Sequence, residues 1–329
     1  MMVVSRRLVL VFMSCAAALL PALANGDEWP SRPIHLIVPF AQGGMMESVF
    51  AATREFVEKR LGQRIVVENR PGGGGNVGAQ AVLAAPADGY TFLVPPSNVL
   101  VTNQFVYADM PFDPLKDFTP VTQLVDVPLV LAVSAKFPPR TLREFIEYAR
   151  ENPGKVNYGS PGPATPPHLA GAMLARAAKI DVVHVPYRGG NAAATALITN
   201  DVQFMIIGYA TLAGQIQGRL VRPVAVAAAE RLAALPDVPT FAESGFADLE
   251  AESPRSWWGV VARRGTPAAV IQRLSDEFHA ALSTPEAQRR MHEMGIVAVG
   301  NSPEEFARSL PPQAEKWRLI VKALDIKTE

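Results

Sequence analysis

Short apolar runs alternate with helix-compatible stretches along this chain, and that alternation restricts its fold more than any other feature. Ile34 to Pro39 is apolar, Glu47 to Leu61 is helix-compatible, Arg64 to Glu68 is β-branched, Asn76 to Ala85 reads as helix and Tyr90 to Val94 as strand. A βαβαβ series predicts a parallel sheet with helices on its faces, because parallel neighbours need a long crossover and the crossover helix packs back on the sheet. Near Leu124 the rhythm changes. Pro128 to Ser134 is a strand bounded by prolines, and Thr141 to Asn152 is a helix with Thr141 as N-cap and Glu144 completing a capping box. A second series follows, with strands at Val156 to Tyr158, Val182 to Val185, Val202 to Ile207 and Val221 to Ala227, and helices at Pro167 to Ala178 and Gly190 to Leu197. Trp257 to Ala262 is a further strand, and helices over Pro267 to Leu282, Pro285 to Met294 and Pro303 to Leu324 close the chain. Two α/β lobes are expected, one built from 25–127 plus 256–329 and the other from 128–255.

The length of 329 residues supports two domains with packed cores. At 49% hydrophobic and 19% charged residues, the composition excludes disorder, and 31 basic against 31 acidic residues lack the excess positive charge of a nucleic-acid binder. Arg6 and Arg7, the apolar run from Leu8 to Leu20, and Ala22-Leu23-Ala24 read as a secretory signal peptide covering 1–24. Pro21 ends the run before it reaches the roughly 20 residues of a membrane span. Removal of that leader takes Arg6 and Arg7 with it, leaving 29 basic against 31 acidic residues and a net charge of −2, and it removes Cys15, the single cysteine. The mature chain is then expected to have no disulfide, thiol nucleophile or cysteine-bound metal. The competing reading of Phe12-Met13-Ser14-Cys15 as a lipoprotein cleavage box is the weaker, since Phe12 suits it poorly and the apolar run before Cys15 is short.

Two strand-to-helix loops carry the strongest chemical signal. In Pro39-Phe40-Ala41-Gln42-Gly43-Gly44-Met45-Met46, paired glycines let backbone N–H groups converge on a guest, and the helix that follows adds about half a positive charge at its N-terminus. A carboxylate could bind there without lysine or arginine; a plain corner is the competing reading. The second loop, Asn157 to His168, offers the hydroxyls of Ser160 and Thr165, with Thr165 placed to cap a helix opening at Pro166-Pro167. Open α/β sheets bind ligands beyond the carboxyl ends of their strands, so two such ends facing one another would enclose a small molecule.

Other motifs are absent or misleading. Gly73-Gly74-Gly75-Asn76-Val77-Gly78 has the form of a dinucleotide fingerprint, but the next strand ends in Val94-Pro95-Pro96 without the acidic residue that would hold a ribose. It reads as a tight turn with close helix packing, and no cofactor is expected. No G-x-S-x-G, S-x-x-K, P-loop or H-E-x-x-H occurs. His35, His168, His184, His279 and His292 show no metal-ligand spacing, and only His168 falls near a candidate loop.

Trp29-Pro30, Ile37-Val38-Pro39-Phe40, Gly43-Gly44, Val67-Glu68-Asn69-Arg70-Pro71-Gly72 and Asn76-Val77-Gly78-Ala79 follow one another in order. Asp88-Gly89-Tyr90-Thr91, Pro114 to Phe118, Asn157-Tyr158-Gly159-Ser160, His168 to Gly171, His184 to Gly190, Leu235 to Thr240 and Gly265-Thr266-Pro267 continue the series. In these segments the chain resembles the solute receptors of tripartite tricarboxylate transporters, the Bug proteins, over nearly its whole mature length. The resemblance implies a two-lobed, type II-like periplasmic binding protein with its cleft between two α/β domains. It implies a non-enzymatic, monomeric receptor that hands a small organic carboxylate to inner-membrane permease subunits. Carried over position by position, it points to Phe40, Gly43, Gly44, Met45, Met46 and Ser97 in one lobe. In the other it points to Ser160, Gly162, Thr165 and His168, and to Tyr187 through Gly189 and Gly190.

The sequence departs from the family in the pocket. Gln42 stands before the paired glycines in place of proline, Glu47 stands where Asp is common, and apolar Ile207 replaces an Asp at the end of a later strand. Without that Asp an ammonium has no acceptor, so a carboxylate on an apolar body is expected, with Met45 and Met46 offering adaptable apolar surface. A sensor subunit using the same binding chemistry is a second reading. A hydrolase using Ser160 or Ser97 is a third, and no histidine or lysine stands at a spacing that would activate either serine.

Overall fold

The computed structural model describes residues 29–246 and 256–326, and the expected leader with Cys15 lies outside them. Strand β1 (Ile34–Val38) is buried at nearly every position, as befits a strand covered on both faces. Helix α1 (Met45–Leu61) follows and stops at Gly62, whose φ of 68° lets its N–H reach back to the Glu58 carbonyl. Strand β2 (Ile65–Asn69), helix α2 (Asn76–Ala84) and strand β3 (Thr91–Leu93) complete the expected series, with β1 parallel to both strands. Short helices α3 (Ser97–Val101), α4 (Asn103–Val106) and α5 (Pro114–Asp117) lead into the ten-residue β4 (Phe118–Val127).

Only Pro128 separates β4 from β5 (Leu129–Ser134), which opens a second sheet. There α6 (Leu142–Glu151), β6 (Val156–Ser160), α7 (Pro166–Ala178), β7 (Val182–Pro186), α8 (Gly190–Thr199), β8 (Phe204–Gly208), α9 (Tyr209–Gln217) and β9 (Val221–Ala227) follow. The chain re-enters the first sheet at β10 (Ser256–Arg263) and ends with α10 (Ala268–Leu282), α11 (Pro285–Glu293), β11 (Val297–Ala298) and α12 (Pro303–Leu324). The first sheet has the order β11-β4-β10-β3-β1-β2 and the second β7-β6-β8-β5-β9, with antiparallel strands beside the parallel ones in each. The fold is therefore two α/β lobes, as expected.

The sequence reading omitted α3 to α5, β4, α9 and β11. In β4, Pro120, Thr122, Gln123 and Asp126 interrupt the apolar pattern; the strand holds because β10 covers its whole length through two register shifts. The capping box on α6 also needs correction. Thr141 accepts the Glu144 N–H, but the Glu144 carboxylate accepts from Arg140 N rather than from Thr141 N. A complete box stands at α12, between Ser302 and Glu305. On the outer side of the first lobe, the buried carboxylate of Glu277 on α10 is met by Arg60 from α1 and by Arg273, so its charge is compensated from both sides.

The lobes share apolar packing. Leu169 and Met173 on α7 are buried in one cluster with Ile37, Val99, Leu100, Trp257 and Leu310 of the first lobe. Arg176 on the same helix donates to the Ala323 carbonyl on α12 at 2.8 Å. Above this seam, the His168 ring stacks on His184 with centroids 3.8 Å apart, and Tyr158 stacks on Phe204 at 5.2 Å. His168 Nδ1 accepts the N–H of Ala164, a buried non-glycine residue at φ 60°. His184 Nε2 lies 2.7 Å from Ser160 Oγ. Burial pushes His168 down to about 4, and burial together with the neighbouring His168 pushes His184 down to about 3.

Two outcomes follow from this packing. Leu169→Ala should lower unfolding free energy by roughly 2–5 kcal/mol. Because Leu169 belongs to both lobes, wild-type protein should melt in one calorimetric transition; separate lobe transitions would contradict the shared core. The histidines set an acid limit. Their folded values lie below the ordinary value near 6.5, so the neutral rings favour the fold above that pH, and the benefit is lost as pH falls through about 4 and then about 3. For His168 alone the loss should be on the order of 3 kcal/mol. Denaturant unfolding at pH 7 and pH 4 in wild type and in a His168→Asn, His184→Asn double variant measures it; equal acid losses in the two proteins would contradict the assignment.

Candidate ligand-binding site

A cavity of about 340 Å³ lies between the two sheets, beyond the carboxyl ends of β1 and β8. Its wall is mostly apolar: Val38, Phe40, Met45, Met46 and Trp258 from one lobe, Val127 from the crossover, and Leu129 and Ile207 from the other. Phe40 and Trp258 meet edge-on, with centroids 5.7 Å apart.

Main chain contributes to the polar side of this wall beside the polar side chains. Helices α1, α8 and α9 begin at Gly44, Gly189 and Gly208, all three on the cavity wall, and none has a side-chain hydrogen bond at its N-cap. Glycine brings no capping group, so first-turn N–H groups are left for a guest, and three helix dipoles point their positive ends into one space. Helix α7 also begins here, but Pro166 and Pro167 occupy its first turn and contribute no N–H. Thr165 holds the N-cap position without capping; its hydroxyl donates instead to the Gly162 carbonyl at 2.7 Å. The cavity is therefore suited to an anionic group on the side of α1, α8 and α9. Exposed Arg188 borders the cavity and has no ion-pair partner among the described residues, whereas Glu47 is held by Gly43 N–H and Asn69 Nδ2, both at 3.2 Å.

Of the residues singled out from sequence, Phe40, Gly44, Met45, Met46, Thr165, Gly189, Gly190 and Ile207 stand on this wall. Met46 and Ile207 are also core residues, exposed 1% and 4%. Gly43, Ser97, Ser160, Gly162, His168 and Tyr187 do not line the cavity. Gly43 has its N–H on Glu47 and its carbonyl on Asn191 Nδ2 at 2.7 Å, so its part is to join the lobes at the mouth. The left-handed φ of 85° belongs to Gly43; Gly44, at φ −82°, is ordinary extended backbone. Ser160 is fully buried, its hydroxyl turned to His184 and to the Gly162 carbonyl. His168 is taken up by the ring stack, Ser97 is buried behind the wall, and Tyr187 packs against the core of the second lobe.

Asn98, Asn191, Thr211, Ser256 and Trp258 add to the polar and aromatic lining without having been singled out, while Arg188 falls within the flagged stretch 187–190. Asn98 adjoins Ser97 and Asn191 adjoins Gly190, so a signal was close at hand. Trp258 had none, since it reaches the cavity only through the return of the chain at β10. The Ser160–His184 pairing was equally hidden: it comes from the parallel register of β6 with β7, not from any spacing. The glycine run 73–78 is a turn against β1; a Cβ on Gly78 would lie 2.7 Å from Pro39 Cβ. Among the described residues no cluster of His, Cys, Asp or Glu could hold a metal, and no helix is long and apolar enough to cross a membrane.

Comparison with known proteins agrees with this geometry. A protein from Pseudomonas sp. strain P51, described as a UPF0065 protein in the tcbD-tcbE intergenic region, is 36% identical over 90% of this chain and 87% of its own length. The R. palustris protein Rpa4515, solved with adipate, superposes with a TM-score of 0.87 at 30% identity, covering 91% of this chain and 99% of that one. MatC from Rhodopseudomonas palustris, solved with bound malate, gives a TM-score of 0.83 at 29% identity over 89% and 99%. Residues 49–326 match the family described as tripartite tricarboxylate transporter family receptor, and the chain belongs to that family of solute-binding receptors.

Proposed function

We propose that this receptor captures a small organic carboxylate in the cavity between its lobes and delivers it to the permease subunits of a tripartite tricarboxylate-type transporter. The observation that carries the reading is the convergence of three uncapped helix N-termini, at Gly44, Gly189 and Gly208, on one otherwise apolar cavity. Adipate and malate in the two related structures are carboxylates of a size that such a cavity accommodates. Ile207 and the methionines favour an apolar body over an ammonium-bearing one. Arg188 at the mouth adds long-range attraction for an anion. The ligand-binding set of this reading is Phe40, Gly44, Met45, Met46, Arg188, Gly190 and Ile207.

In this reading the chain is exported by cleavage after Ala24, acts as a monomer in the periplasm, and closes its lobes about the crossovers at 127–128 and 255–256. Asn191 donating to the Gly43 carbonyl supports closure, since it ties first-lobe loop to second-lobe helix beside the ligand. The 2.7 Å contact between Ser160 and His184 is the single observation that favours a hydrolytic reading. Turnover of small esters by purified protein would establish it, and full burial of Ser160 argues for no turnover.

Thermal unfolding with a carboxylate panel tests the receptor reading. A ligand at 100 times its dissociation constant should add about 2.7 kcal/mol of stability. No shift with any aliphatic or aromatic carboxylate would contradict it. The glycine loop makes a sharper comparison. Gly43→Ala forces a side chain into a left-handed backbone, with its Cβ 3.3 Å from Asn191 Nδ2, while a Cβ on Gly44 meets nothing nearer than 3.6 Å. Gly43→Ala should therefore weaken binding roughly tenfold, at 1–2 kcal/mol for the strained residue, and Gly44→Ala by less than about threefold. Titration calorimetry giving the reverse order would remove the loop assignment.

A further inference from the structure

Two buried side-chain oxygens of the described residues have no hydrogen-bond partner, those of Asn98 and Asn200, and of the two only Asn98 lines the cavity. It is fully buried on α3, and its amide nitrogen donates to the Gly74 carbonyl at 2.7 Å and to Asn103 Oδ1 at 2.9 Å. Asn103 in turn donates to the same Gly74 carbonyl and to Asn76 Oδ1. This network fixes which way the Asn98 amide is turned, because rotating it by 180° would set its oxygen against two other oxygens. Asn98 Oδ1 is then left buried with no hydrogen-bond partner, on a residue that lines the ligand cavity. A buried carbonyl oxygen without a donor is costly, and native proteins tolerate it chiefly where something else supplies the donor.

We propose that Asn98 Oδ1 is a specificity determinant that accepts a hydrogen bond from a neutral O–H or N–H group of the ligand, so the preferred ligand is a hydroxylated or N–H-bearing carboxylate. The proposal rests on the carboxylate reading above and adds to it. The main-chain N–H groups of α1, α8 and α9 can only donate, and they suit the carboxylate. Asn98 Oδ1 can only accept, and it asks for a ligand group that the carboxylate itself cannot provide at neutral pH. An ammonium is a poorer match than a hydroxyl, because its charge would be set against the apolar wall of Ile207 and Leu129, and the carboxylate on the wall, Glu47, is already engaged by Gly43 N–H and Asn69 Nδ2.

The test is titration calorimetry of the full-length mature protein with carboxylates matched except at one position: succinate, malate and aspartate; adipate and 3-hydroxyadipate; benzoate and its three monohydroxy derivatives. On whichever skeleton binds, a hydroxylated member should bind about tenfold or more tightly than the unsubstituted one, and aspartate should bind more weakly than malate. In Asn98→Leu the affinity ratio between hydroxylated and unsubstituted acid should fall to about one, whatever happens to the absolute affinities, since the variant also loses the bonds to Gly74 and Asn103. If that variant does not fold, the wild-type ratios decide alone. Equal or weaker binding of every hydroxylated member, or tighter binding of aspartate than malate, overturns the role of Asn98 and leaves the receptor reading standing. Absence of binding by all these acids overturns both. A crystal structure of the loaded receptor with a water molecule, not the ligand, on Asn98 Oδ1 also overturns the proposal.

Discussion

The burial of Leu169 and Met173 from the second lobe inside the core of the first is the contact on which the architecture depends. It joins the two lobes through shared apolar packing, with the cavity lying elsewhere between them. Around this dry seam the packing leaves little slack. Ala164 is buried with Val106 and Val321 of the first lobe, and a Cβ on Gly74 would come within 3.0 Å of the Pro163 carbonyl. On the cavity side the link between lobes is polar: Asn191 reaching the Gly43 carbonyl. For the closure proposed above, a seam of apolar packing opposite a polar link would leave opening and shutting of the mouth as the available motion.

The fold was legible because apolar runs and helix periods alternate, and that signal is local. What escaped was set by partners distant in sequence. The polar, proline-bearing β4 is a strand because β10, returning more than 120 residues later, covers it. Trp258 joins Phe40 by the same return, and His184 meets Ser160 only through the pairing of β6 with β7. At the site, the glycine pairs and the segment around Gly189 announced where main chain turns toward a guest. The individual roles did not follow: Gly43 and Gly44 are indistinguishable as letters, yet one has left-handed backbone that clasps the other lobe and the other opens a helix. Thr165 has the right identity and position for a cap, and the nearby Gly162 carbonyl takes its hydroxyl instead.

Asn98 contrasts with two other buried polar groups. The Glu277 carboxylate and the His168–His184 stack are compensated or neutral within the protein, so they serve the scaffold. Asn98 is compensated on its nitrogen alone, and it stands at the cavity.

Three glycine-capped helix openings also govern how such a receptor can change. An anchor made of peptide N–H groups is written in backbone path and not in side-chain identity, so most substitutions nearby leave it intact. The apolar wall, by contrast, is pure side chain: exchanging Met45, Ile207 or Trp258 reshapes the space around the ligand's body without touching what holds its charged end. In the proposed binding mode, headgroup choice and body choice are thereby uncoupled. One scaffold can drift across carboxylates of differing length, branching and aromaticity while remaining committed to anions.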